Sequence, residues 1–121
     1  MISRMSKKEL CKDEGNARRR VLFSDFSEND LVNIENYILF ELCNPSAADH
    51  IVDGILETAK SLRVMPERCP FVNDESLKRL GFRYTYFENY NIFYIYYKRR
   101  EIVYIVRILY NKADWQTILK L

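Results

Sequence analysis

Between Gly81 and Trp115, tyrosine and phenylalanine recur at a spacing of two, and twelve of the chain's seventeen aromatic residues fall in that stretch. Rings at alternate positions suit a pleated surface and lose little freedom on it, so this run commits the chain to closing on a β-sheet. It divides into three strands, roughly Phe82 to Phe87, Tyr90 to Tyr97 and Ile102 to Tyr110. The turns between them, Glu88-Asn89 and Lys98-Arg99-Arg100-Glu101, are short enough to force an antiparallel meander. Arg83, Lys98, Arg99, Arg100, Arg107 and Lys112 sit in the same segment. They make the sheet either a cationic, aromatic binding face or a decorated core.

The last of these strands alternates Val103, Ile105, Arg107 and Leu109 against Ile102, Tyr104, Val106, Ile108 and Tyr110. Both sets are substantially apolar. A sheet covered by helices on one side only should be polar on the other, so a second cover is expected, and a partner segment is the economical choice. Asp114 predicts a cap for a short final helix with Trp115, Ile118 and Leu119 on one face; so short a helix needs a docking surface.

Upstream, Val21-Leu22-Phe23 reads as a first strand ended by Ser24 and Asp25. Ser27, with Asp30 three residues on, predicts a capped helix whose inner face carries Leu31, Ile34, Ile38 and Leu42. Asn44-Pro45 opens a second helix with Ala48, Ile51, Val52, Ile55, Ala59 and Leu62 inward, and the short gap makes the two an antiparallel hairpin. Pro66 and Pro70 then force a loop from Met65 onward. Counting reversals, the first strand runs up, helix one down, helix two up and the second strand down; the first strand's place in the sheet stays open. Residues 1–20 are too sparse in apolar positions for a packed element, which predicts a weakly ordered N-terminal extension. Arg18-Arg19-Arg20 within it reads as a solvated flank.

Composition bounds the function. A chain of 121 residues, 48% hydrophobic, suits one domain that buries roughly two-thirds of its unfolded surface. A net charge of +2 argues for no partner by itself; local clustering must carry any electrostatic case. Cys11, Cys43 and Cys69 form no Cys-x-x-Cys pair, so neither a disulfide framework nor a zinc site is indicated, and a reduced, cytoplasmic setting is expected. No stretch is suited to spanning a bilayer and no signal peptide is evident, so no membrane partner is expected.

The ordered set of strand, helical hairpin, Met65-Pro66-Glu67-Arg68, Leu80-Gly81-Phe82-Arg83, Asn89-Tyr90-Asn91-Ile92-Phe93-Tyr94, Val103 to Tyr110 and Asp114-Trp115 resembles the RelE/ParE superfamily of toxins over about Val21 to Leu121. The resemblance implies an α+β fold with an N-terminal strand, an antiparallel helical hairpin, a three-stranded antiparallel meander and a short C-terminal helix, as a domain spanning 21–121. It implies the toxin of a type II toxin–antitoxin module, active in growth arrest and stress response. Its partner would be a small cognate antitoxin, with higher-order complexes, and no cofactor is needed. RelE-like members resemble ribosome-dependent messenger RNA endonucleases, whereas ParE-like members bind DNA gyrase. An exapted, non-toxic interaction module is a third reading.

Cutting RNA through its 2′-hydroxyl needs a group to take a proton, one to give a proton, and cations for the developing phosphorane charge. The nuclease branch places an arginine after the tyrosine of the third-strand motif, where this chain has Asn91, and acid–base or basic groups near the end of strand four, where it has Tyr110-Asn111-Lys112. His50 lies on the second helix, away from the sheet. Arg83 and Arg107 as phosphate clamps, Lys112 as a further cation and Tyr110 or Glu88 as proton handler form a generic catalytic set. The plainer reading satisfies Arg107 with a carboxylate and packs Tyr84, Tyr86, Tyr94 and Tyr96 in the sheet. Arg83, Arg107, Tyr110, Lys112 and Trp115 are also the candidates for contacting target or antitoxin, and Asn91 tilts the reading toward ParE-like action.

Overall fold

The structure, a computed structural model, describes residues 19–120. Most of the expected N-terminal extension, Arg18 included, lies outside the described residues. The elements are β1 (Arg20–Phe23), α1 (Asp25–Asn36), a π-helical turn (Tyr37–Glu41), α2 (Pro45–Ser61), a 3-10 turn (Pro66–Arg68), α3 (Glu75–Arg79), β2 (Phe82–Phe87), β3 (Tyr90–Tyr97), β4 (Ile102–Tyr110) and α4 (Trp115–Lys120). They form an α+β fold with the antiparallel meander expected of β2, β3 and β4.

The sheet order is β1-β4-β3-β2, with β1 parallel to β4 and the other neighbours antiparallel. β2 therefore runs in the direction of β1, opposite to the expected one. The cause is visible at Ser24, which caps α1 in place of Ser27: its Oγ accepts from the Ser27 N–H (2.9 Å) and donates to the Val106 carbonyl (2.7 Å), while its own N–H reaches the Ile105 carbonyl. β1 thus ends halfway along β4, and α1 continues toward the far end of that strand, where Asp30 meets Arg107 and Ile108. The reversal falls at the π-helical turn, where the Asn44 N–H bonds the Ile38 carbonyl and Cys43 adopts a positive φ. Leu42, expected on the inner face, is exposed because the wider turn rotates it outward.

Two apolar cores sandwich the sheet. Under α1 and α2 lie Val21, Phe23, Leu31, Val52, Ile55, Leu62, Ile92, Tyr94, Val103, Ile105 and Ile108. On the opposite face Val72, Leu77, Phe82, Phe93 and Leu109 pack with Trp115, Ile118 and Leu119. The second cover is thus, over β2 and β3, the chain's own α3 and α4 rather than a partner segment. Strict alternation also fails in β4. Phe93 faces Arg107 but Tyr94 faces Ile105, so Val106 is an extra residue and a β-bulge. Past it the phase shifts, placing Ile108 beneath the helices and Leu109 on the other face.

Asp74 pins α4 in place. It caps α3 by accepting from the Leu77 N–H (3.1 Å) and pairs with Lys120 Nζ (2.9 Å). The Lys120 contact first, then the Leu77 amide, hold its carboxyl down at about 2. A carboxyl with a depressed folded pKa stabilises fully above its ordinary value and loses that contribution as pH falls toward the folded one. Acidification from about pH 4 toward 2 is therefore expected to loosen α4, read as a red shift of Trp115 emission; emission that stays constant until the whole sheet unfolds would contradict this.

α2 approaches the sheet closely at Gly54. A Cβ there would lie 2.0 Å from the Phe87 ring, which His50 flanks one turn earlier at 5.5 Å. Gly54→Ala should lower stability by about 1–2 kcal/mol, the overpacking outweighing a helix-propensity gain of about 1 kcal/mol. A denaturation midpoint that rises would show that Phe87 swings aside freely.

Candidate functional site

Asn91 lies mid-sheet between Tyr86 on β2 and Leu109 on β4. It opens onto a cavity of about 150 Å³ lined by Val72, Asn73, Tyr84, Phe93 and Trp115 as well as Asn91 itself. The floor is aromatic: Trp115 stacks on Phe93 with centroids 5.6 Å apart and planes 26° apart, and Tyr84 leans on Phe93 at 6.2 Å. This lining supplies amides and a phenol, with no carboxylate, imidazole or cation.

Both arginines expected to clamp phosphate are engaged elsewhere. Arg83 Nη1 donates to the carbonyls of Glu67 (3.1 Å) and Cys69 (2.6 Å), and its guanidinium lies 4.0 Å above the Phe71 ring. It clasps the loop that precedes α3. Arg107 forks onto Asp30, Nε to Oδ2 at 2.8 Å and Nη2 to Oδ1 at 2.9 Å, and Asp30 also accepts the Ile108 N–H at 3.0 Å. The Asp30 hydrogen bond raises the Arg107 pKa against the opposing effect of burial. Past the bulge at Val106, Arg107 lies opposite Phe93 instead of continuing the helix-facing series of Val103 and Ile105, and it meets Asp30 where β4 runs on beyond the end of β1. Asp30, read from the sequence as part of a capping box, is the residue that reasoning missed.

His50 of α2 pairs at 3.1 Å with Glu88 on the exposed β2–β3 turn and lies against Phe87 of β2, so it is not away from the sheet as expected, but neither His50 nor Glu88 lines the Asn91 cavity. Tyr94 is fully buried and donates to the Pro66 carbonyl at 2.6 Å; burial first, then the Cys69 contact, pushes its pKa up. Tyr96 packs against the first core and accepts from Arg19 Nε at 3.3 Å, while Tyr86 is exposed.

Tyr110 and Lys112 are exposed. Tyr110 meets Tyr90 edge-on at 5.7 Å, and the two join Asn33, Ile34, Tyr37, Leu42 and Asn89 around a cavity of about 550 Å³. Burial, then the neighbouring Tyr110 and Tyr37, raise the Tyr90 pKa. The helical spacing leaves Tyr37 unmarked and assigns Leu42 to the inner face, since the π-helical turn that aims both here is invisible in a 3.6-residue period. The structure therefore separates Arg83, Arg107 and Trp115, engaged in internal contacts, from Tyr110 and Lys112.

Among the described residues no His, Cys, Asp and Glu cluster could hold a metal ion, and no helix is long and apolar enough to cross a membrane. In sequence, residues 21–115 match the family model described as the ParE toxin of the type II toxin–antitoxin system parDE. No curated protein sequence matches the chain. Eight chains of solved structures match. One, from the chromosomal ParDE TA system of P. aeruginosa, superposes with a TM-score of 0.64 at 18% identity, covering 78% of this chain and 98% of that one. At that identity the likeness is one of fold.

Proposed function

Given that the chain belongs to the ParE toxin family of type II toxin–antitoxin systems, we propose that it acts without hydrolysing RNA, by binding DNA gyrase, and that a cognate antitoxin neutralises it in the cytoplasm. The observation that carries this reading is the lining of the Asn91 cavity, Val72, Asn73, Tyr84, Phe93 and Trp115, which offers one phenol but no carboxylate or imidazole to take a proton at neutral pH and no cation to balance a phosphorane's charge. The internal bonds of Arg83 and Arg107 support it, because neither guanidinium is turned toward that cavity. Tyr110, exposed on the lining of a cavity rich in tyrosine, and the exposed Lys112 two residues on are then the residues for target or antitoxin contact.

The test is induction of the chain without antitoxin, with cleaved transcripts and double-strand DNA breaks mapped in the same cells. Growth arrest with DNA breaks and intact transcripts is expected. Abundant in-frame messenger RNA cuts over intact DNA would sink the gyrase reading in favour of the ribosomal nuclease, and continued growth with neither lesion would favour a non-toxic interaction module. The antitoxin arm is separate: co-expression with the product of an adjacent short reading frame should give a tight, soluble complex.

A further inference from the structure

The covers of the second sheet face stop short of its β1 end. There Leu22, Tyr97, Arg100, Ile102 and Tyr104 line a shallow pocket of about 450 Å³. Tyr97 and Tyr104 form its aromatic wall, with centroids 6.5 Å apart and planes tilted by 53°, and Tyr97 is 47% exposed. Two basic runs far apart in sequence meet around it. The parallel register sets Arg20 opposite Ile102, and the β3–β4 turn brings Lys98, Arg99 and Arg100 to the same end. Arg19 joins them, donating to the Arg63 carbonyl at 2.8 Å and lying 4.0 Å from Glu101. Arg20, Lys98, Arg99 and Arg100 are exposed and make no ion pair among the described residues. A net charge of only +2 hides this concentration.

We propose that this end of the sheet is a binding site for single-stranded nucleic acid, its phosphates on Arg20, Lys98, Arg99 and Arg100 and one base stacked on Tyr97. Unpaired cations give the salt-sensitive attraction to a phosphodiester backbone, and an exposed ring beside them gives the stacking platform that tolerates any base. An acidic peptide would satisfy the cations but leave the open tyrosine wall unused. The site shares no residue with the Asn91 cavity and does not rest on the gyrase reading.

Fluorescence anisotropy of labelled dT20, U20 and a 20-base-pair duplex, titrated with the full chain, tests it. With about four phosphates neutralised, affinity for the single strands should fall roughly 50-fold between 50 and 200 mM salt. K98E/R99E/R100E should weaken binding at least ~30-fold at 100 mM salt and flatten the salt slope. Tyr97→Ala should weaken it about tenfold with the slope unchanged, and Tyr97→Phe should restore it. Arg79→Glu, on the exposed side of α3, should leave it within about twofold, as a surface charge away from the site. A preference between dT20 and U20 identifies the natural strand, and either is consistent with the site. No binding at 50 mM salt, binding indifferent to the triple substitution, equal binding of duplex with Tyr97→Ala neutral, or capture of a poly-glutamate peptide in preference to dT20 would each overturn the proposal.

Discussion

Replacing Asp30 by alanine is expected to lower the unfolding free energy by about 3 kcal/mol, because it strands an arginine and a backbone amide that one carboxylate now satisfies. Asp30 takes both arms of the Arg107 fork and the Ile108 N–H, and its side chain is only 10% exposed. Removing one partner of a largely desolvated pair costs more than the pair contributes, since the remaining charge has lost its hydration and its counter-ion together. Arg107 is 24% exposed, so water recovers part of that loss, which is why the figure lies at the low end for buried pairs. In a domain of this size the change corresponds to a fall in Tm of roughly 10 °C. Asp30→Asn, keeping an acceptor for the Ile108 amide, should cost about half as much. Thermal unfolding of both variants checks the order, and a double substitution with Arg107→Leu should recover part of the loss. If Asp30→Ala alone left Tm within a degree or two, α1 would be held to β4 by its apolar face alone.

Trp115→Ala should cost about 2–3 kcal/mol, less than the loss of a fully buried tryptophan because the ring is only half-buried. The effect should be local. α4 spans six residues, too few to persist without the Phe93 stack, the Ile118 and Leu119 contacts and the Lys120–Asp74 pair. Hydrogen exchange should therefore speed up at Ile118 and Leu119 while the amides of Ile92 and Ile105 stay protected. Trp115→Phe, which keeps a ring over Phe93, should retain more than half of the lost stability. The opposite pattern, unchanged stability with weakened antitoxin binding, would make Trp115 a partner contact instead of the anchor of its helix.

The three meander strands were legible to the residue, because ring alternation and short turns are local signals that tertiary context here reinforces. The inner face of α2 was legible for the same reason: Ala48, Val52, Ile55, Ala59 and Leu62 are all buried. What escaped depends on distant pairing. The bulge at Val106 appears only in the register with Phe93 and Tyr94, and it decides that Ile108 faces the helices while Arg107 lies opposite Phe93. The direction of β2 hinges on where Ser24 ends β1 against β4. α3, five residues long, has too few positions to show a period, so the self-supplied cover of the second face was assigned to a partner. At the candidate site Asn91 was legible through the resemblance, but Val72 and Asn73 come to its cavity from a loop without a pattern of its own.

The position of β4 in the sheet also governs the order in which the molecule can assemble. It is a central strand, flanked by β1 and β3, and it contributes Val103, Ile105 and Ile108 to one core and Leu109 to the other. Its contact with the start of α1, Ser24 to Val106, closes a sequence separation of 82 residues. Such closure is entropically slow, and neither core has its wall until Ile102–Tyr110 has been synthesised. A nascent chain shorter than that holds a helical hairpin and a loose β2–β3 ribbon with their apolar faces open. A ribosome stalled anywhere before Ile102 accordingly carries a polypeptide in which neither core has closed.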